Sequence, residues 1–266
     1  MDGPVIPAGG IHTEPKPHPA RKWFLIVVFL LIVIIGLAIA SSYVSHADQM
    51  GVTVVRMEGT IVSGSVDDGS SIGSEVVGKE LRDAADDPMT EAIVLRVNSP
   101  GGTPAGAEEI ISDLEYAKTK KPVVVSMGDM ATSAAYYVSA HADRIYADPD
   151  TFTGAIGVLW EFSDISKWSS DEGYNTTIVK SGALKDMGNP SRPLTVQEQA
   201  YAQQIVNESF SEFINDVTSQ RPIDRSVIED GRVIRGADAI NLHLVDELGN
   251  LNDAINGAKE MARKRG

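Results

Sequence analysis

Residues 92–127, AIVLRVNSPGGTPAGAEEIISDLEYAKTKKPVVVSM, decide the fold. The run Ala92-Ile93-Val94-Leu95-Arg96-Val97 has the length and β-branched content of a buried strand, and Asn98-Ser99-Pro100-Gly101-Gly102 punctuates it. Thr103 caps a helix predicted to run to Lys118, with Pro104 in its first turn, where no backbone N–H is needed. A second buried-type strand, Pro122-Val123-Val124-Val125-Ser126-Met127, follows. Two apolar strands joined through a helix make a βαβ unit, and such units pair their strands in parallel.

Working outward, Gly51 to Met57 reads as a first strand, Ser63 to Ser74 as a Ser/Gly/Asp-rich loop and Glu75 to Ala85 as an amphipathic helix. Downstream come a helix from about Ser133, a short strand over Arg144 to Ala147 and another over Thr176 to Val179. Thr195-Val196-Gln197-Glu198 is a capping box, and Tyr201, Ile205, Phe210, Phe213 and Val217 follow at helical spacing. Gly231 to Ile240 and Leu244 to Gly249 frame a turn, a short helix and a closing strand or loop. The expected class is α/β, a mostly parallel sheet with C-terminal helices. There is no internal repeat.

The chain has 266 residues, 42% hydrophobic and 23% charged, enough to bury a full core. It has no cysteine, which excludes disulfides, thiolate zinc sites and cysteine nucleophiles. Trp23 to Ala40, WFLIVVFLLIVIIGLAIA, is 18 residues without a charge and has the length of a membrane-crossing helix. Lys16, Arg21 and Lys22 precede it, so the positive-inside rule puts the N-terminus in the cytoplasm and the rest outside the cell membrane. Ala38-Ile39-Ala40 resembles a leader cleavage site, but the apolar stretch exceeds a usual leader and favours a retained single-pass anchor. The expected division is a tail over 1–22, an anchor over 23–43, a stalk over 44–50 and a folded extracytoplasmic domain over 51–266.

The net charge is −14, and residues 1–22 carry three basic and two acidic groups, so the remainder carries −15. So acidic a surface argues against nucleic acid as a partner. No His/Asp/Glu grouping has metal spacing and no phosphate loop is present, so neither a metal nor another cofactor is expected.

Acyl transfer needs a nucleophile, a base and donors aimed at the developing oxyanion. Ser133 opens a predicted helix, beside free N–H groups at the positive end of its dipole. Gly101 and Gly102, between strand and helix, let backbone approach a substrate closely. Of five histidines, His12 and His18 lie in the tail and His46 in the stalk; His141 is about 12 Å along the helix from Ser133, and His243 reads as a turn residue. A Ser-His-Asp triad is thus disfavoured. Lysine can serve as base if apolar surroundings keep it neutral. Lys185, 52 residues after Ser133, has Ala183, Leu184 and Met187 as neighbours, whereas Lys180 ends the Thr176 to Val179 strand and is expected to be exposed.

Taken in order, Asn98-Ser99-Pro100-Gly101-Gly102, Ser133-Ala134-Ala135-Tyr136-Tyr137, Ala147 to Gly157, Lys180 to Lys185 and Gly231 to Gly249 resemble the short, single-repeat signal peptide peptidase A family, peptidase family S49. The match runs over roughly residues 50 to 255. The resemblance implies a crotonase/ClpP-like ββα-type fold and a serine endopeptidase that degrades released signal peptides or similar apolar peptides. It further implies Ser133 as nucleophile, Lys185 as general base, an oxyanion hole from the amides of Ala134 and of Gly101 or Gly102, and a homo-oligomeric ring, an octamer among the sizes. Two departures stand out: Ala134-Ala135 where the family usually has Gly-Gly, and Ala155 where relatives usually place a serine that contacts the lysine. Thr153, Ser181 or a water are the alternatives for that contact. The competing reading is a catalytically weak oligomeric binding or scaffold protein of the same fold. An acyl-CoA enzyme fits poorly with an exported chain.

Overall fold

The computed structural model of the chain describes residues 24, 27–36 and 51–265, in two units, Met1–Met50 and Gly51–Gly266. In the first, residues 27–36 form helix α1, whose apolar side chains are exposed. Among the described residues no helix is long and apolar enough to cross a membrane. The expected tail and stalk, and residues 23, 25, 26 and 37–43 of the expected anchor, lie outside the described residues.

The second unit is built on a seven-stranded sheet. Strands β1 (Val52–Glu58), β4 (Ala92–Ser99), β5 (Val123–Thr132), β6 (Arg144–Ala147) and β9 (Glu247–Leu248) lie side by side in that order, every pair parallel. β7 (Phe152–Gly154) continues the sheet beside the end of β5, and β8 (Val233–Arg235) closes on β7 antiparallel. The mostly parallel α/β class is as expected.

Both faces of the sheet are covered, which is why its central strands read as continuous apolar runs. Ile93, Leu95 and Val97 of β4 pack into the main core with α2 (Ser74–Asp86), α3 (Pro104–Lys120), α4 (Ala134–Ala140) and α6 (Val196–Gln220). Ala92 and Val94 face the other way, onto Ala254, Ile255 and Ala258 of α8 (Leu251–Arg265). The Thr103 hydroxyl accepts from the Gly106 N–H at the start of α3, and Thr195 and Glu198 form the capping box of α6.

Two local expectations need correction. Residues 174–180 are irregular and exposed where Thr176 to Val179 reads as a strand, because no neighbouring strand offers it a ladder. The loop expected over Ser63 to Ser74 contains strand β3 (Ser71–Gly73), which pairs parallel with an unforeseen β2 (Thr60–Val62). A short helix, α5 (Ser166–Asp171), interrupts the long excursion between β7 and α6.

Candidate active site

The site begins with an irregularity in β5. Val97 of β4 pairs with Met127, but Ser99 pairs with Ala131, so β5 carries two extra residues over this interval. The Asn98 side chain braces the bulge by accepting from the Met130 N–H at 3.2 Å. Beyond the bulge β5 keeps β4 on one side but exchanges β6 for β7 on the other, and its last residue, Thr132, delivers Ser133 to the head of α4. Bulges commonly re-aim a side chain in this way.

Ser133 sits at φ 54°, ψ −125°, a conformation costing a residue with a Cβ on the order of 1–3 kcal/mol. Its N–H donates to Gly154 O at 2.9 Å and its carbonyl accepts from the Tyr137 N–H, so the turn is held from both sides. The half-buried side chain lines a cavity of about 790 Å³. Ala134, Ala155, Gly102 and the apolar residues Tyr137, Phe210 and Phe213 line it too.

Two backbone donors accompany the serine. The Ala134 N–H, in the first turn of α4, has no acceptor among the described residues. Of the glycine pair, Gly101 donates to Ser99 Oγ at 3.1 Å, whereas the Gly102 N–H has no acceptor among the described residues and Gly102 lines the cavity. The sequence left the two equivalent, and Ser99, read as a turn residue, separates them.

The loop is fitted to its neighbours atom by atom. A Cβ on Gly101, already at φ +103°, would fall 2.9 Å from Ser133 Cβ and 3.0 Å from Ala134 N. One on Gly102 would fall 1.9 Å from Ile61 O. Ile61 accepts from the Thr103 N–H and donates to Gly101 O, so backbone must move to relieve that clash. Gly102→Ala is therefore expected to destabilise the folded unit by about 3 kcal/mol or more, read as a lowered denaturation midpoint.

Lys185 is not among the residues that line the cavity with Ser133. It is exposed and absent from the cavity lining, a correction to the apolar burial expected for it. Its neighbour explains why. Asp186 turns inward, 9% exposed, and accepts from Arg192 Nε at 2.8 Å and from Lys180 Nζ. Arg192 also forks onto both oxygens of the buried Glu198. The loop is thus clipped to the head of α6, with Lys185 on its outer side. Lys180 is engaged by Asp186 and Ala183 O.

The clip has a pH signature. Arg192 foremost, then Lys180, holds the Asp186 carboxyl well below its usual range. Arg192, helped by the Thr195 N–H, lowers Glu198 from 4.5 to about 2. Both carboxylates have depressed values when folded, so their stabilisation is complete above the ordinary carboxylate range and is lost as pH falls through the folded values. Acidification from pH 4.5 toward about 2 should loosen the loop, read as a fluorescence change of Trp160 and Trp168, with little change between neutral pH and 5.

Thr153 is buried and its hydroxyl donates to Ala131 O at 2.9 Å, which leaves its oxygen only an acceptor role; Ser181 is exposed. Ala155, at φ 48°, offers the cavity only a methyl group. His243 occupies a left-handed turn, and His141 is buried in carboxylate contacts away from Ser133. Among the described residues no group of three or more His, Asp or Glu could hold a metal.

The profile of peptidase family S49 matches residues 115–265, which include both Ser133 and Lys185. The chain belongs to peptidase family S49. Protease 4 of Haemophilus influenzae is 35% identical over 80% of this chain and 35% of its own length. An Enterococcus faecium protein named "Putative signal peptide peptidase SppA" is 34% identical over 68% of this chain and 54% of its own. The chain thus spans only about a third and a half of these two curated S49 relatives. Among solved structures, a mutant of the 1510-N membrane-bound stomatin-specific protease superposes with a TM-score of 0.52, at 17% identity, over 76% of this chain and 81% of that one, a likeness of fold.

Proposed function

We propose that this chain is a membrane-anchored serine endopeptidase in which Ser133 attacks the carbonyl of an extended apolar peptide, of the kind left when signal peptides are released. The observation that carries this reading is Ser133 itself, held at a strained strand-to-helix turn and opening into a partly aromatic cavity beside two unpaired N–H groups. In this mechanism the Ala134 and Gly102 amides receive the oxyanion, and a neutral lysine takes the serine proton and returns it to the leaving amine.

The lysine of the dyad is Lys185, and it acts across a subunit boundary. Among the described residues no lysine lines the cavity, while Lys185 is exposed beside a segment that leaves Leu159, Trp160, Trp168, Tyr174 and Val179 exposed, Leu159 by 84% and Val179 by 95%. Such a row of apolar side chains calls for a cover, and a second copy supplies cover and base together. A closed ring satisfies every copy alike. The anchor is supported by the uncharged stretch 23–40 and by the exposed apolar side chains of its described helical part, with the N-terminus cytoplasmic and the folded unit outside.

A peptidyl phosphonate with apolar side chains should modify one residue of the full chain, Ser133, located by peptide mass mapping. A folded protein that stays unmodified would remove the peptidase reading. It would favour a binding or scaffold protein, the reading to which the exposure of Lys185 and the bare methyl of Ala155 lend support.

A further inference from the structure

The mechanism leaves buried titratable side chains unused, His141 among them. His141, at the C-terminus of α4, is 5% exposed. Its Nδ1 lies 3.0 Å from Glu115 Oε1 of α3 and its Nε2 lies 3.1 Å from Asp216 Oδ2 of α6. Carboxylates only accept hydrogen bonds, and a neutral imidazole has one N–H to give. Both contacts are hydrogen bonds only while the ring is the doubly protonated imidazolium; a neutral ring points a lone pair at one of the carboxylates.

The clamp adjoins the cavity. The Tyr137 ring, which lines the cavity beside Ser133, meets His141 edge-on at 5.8 Å and packs on Phe213 at 4.7 Å. Phe213 and Phe210, both on α6, form the facing wall. The Tyr137 phenol also faces Asp216, with the charges of Glu108 and Glu212 nearby, and burial followed by these neighbours raises its ionisation above the ordinary value. On the α3 side Glu115 is shared with Lys118 Nζ at 3.1 Å. Glu115 of α3 and Asp216 of α6 therefore converge on the one imidazole.

We infer that His141 is a positioning residue: as imidazolium it ties α6 to α3 and α4 and so sets the Phe210 and Phe213 wall against Ser133. A neutral ring has one N–H and leaves one of the two contacts unmade, freeing α6 and widening the subsite. The consequence for peptide hydrolysis rests on the reading above; the movement of α6 does not.

Amide hydrogen exchange of α6 in the full chain, made inactive by Ser133→Ala, tests the movement without turnover. After correction for intrinsic exchange, protection over residues 202–217 should fall about tenfold between pH 5 and pH 9, the size of one lost charged hydrogen bond. Asp216→Asn should abolish that step while keeping the fold, because its amide can accept from the imidazolium or donate to the neutral ring. His141→Gln, which cannot take a charge, should likewise show no step. In the active chain KM for an extended apolar peptide should rise over the same pH interval, and Asp216→Asn should flatten that rise. Equal α6 protection at both ends of the range in the native residue set, or an unchanged step in Asp216→Asn, overturns the inference whether or not peptides are cleaved. Absence of hydrolysis with the step intact overturns only the peptidase reading.

Discussion

Ser133→Ala should abolish peptide hydrolysis. Removing the nucleophile of a serine peptidase can cost on the order of 10⁶ in kcat, leaving only what binding and the oxyanion donors achieve. Here the loss should come without unfolding, because the bonds that hold the turn are backbone bonds, from the Ser133 N–H to Gly154 O and from the Tyr137 N–H to Ser133 O. Alanine has the same Cβ and meets the same strain, so its stability should stay within about 0.5 kcal/mol of the parent. Ser133→Gly separates the two effects further. Equally inactive, it should be more stable by about 1 kcal/mol, since glycine relieves the positive-φ cost at 54°. Steady-state rates on an apolar fluorogenic peptide, set beside thermal melts, read both. Residual hydrolysis above a few percent in a folded Ser133→Ala protein would assign the nucleophile elsewhere.

Lys185→Ala should lose nearly as much, and Lys185→Arg should not recover it, because a guanidinium does not release its proton at any ordinary pH. The exposure of Lys185 makes the mixing experiment the decisive one. Ser133→Ala and Lys185→Ala chains should each be inactive, but if the base crosses from one copy to the next, co-assembly at equal amounts should restore about a quarter of the parental sites in a closed ring. A mixture as inactive as its parts, from chains shown to co-assemble, would place the base within the same chain and require the Arg192 clip to open first.

Much of this site is legible in the sequence. The apolar runs at Ala92 and Pro122, the cap at Thr103 and the capping box at Thr195 act through neighbours one to four residues away, and the elements appear where these signals put them. Ser133 stands out because it follows a buried strand and opens a helix. The bulge in β5 is harder to see, because its brace is the side chain of Asn98, 32 residues from Met130. The Thr176 to Val179 strand fails for the opposite reason, a local preference without a partner.

The sequence by itself determined the parallel α/β scaffold, the serine at its strand-to-helix turn and membership of the S49 family, because hydrophobic period, turn residues and motif order are properties of short stretches. Only the tertiary structure decided that Gly102 rather than Gly101 has its N–H free, that His141 is held by Glu115 and Asp216, and that Lys185 faces outward. Each of those outcomes depends on where a hydrogen bond ends. Ser99 captures one glycine amide, two helices converge on one imidazole, and Arg192 draws in Asp186 so that the next side chain points to solvent.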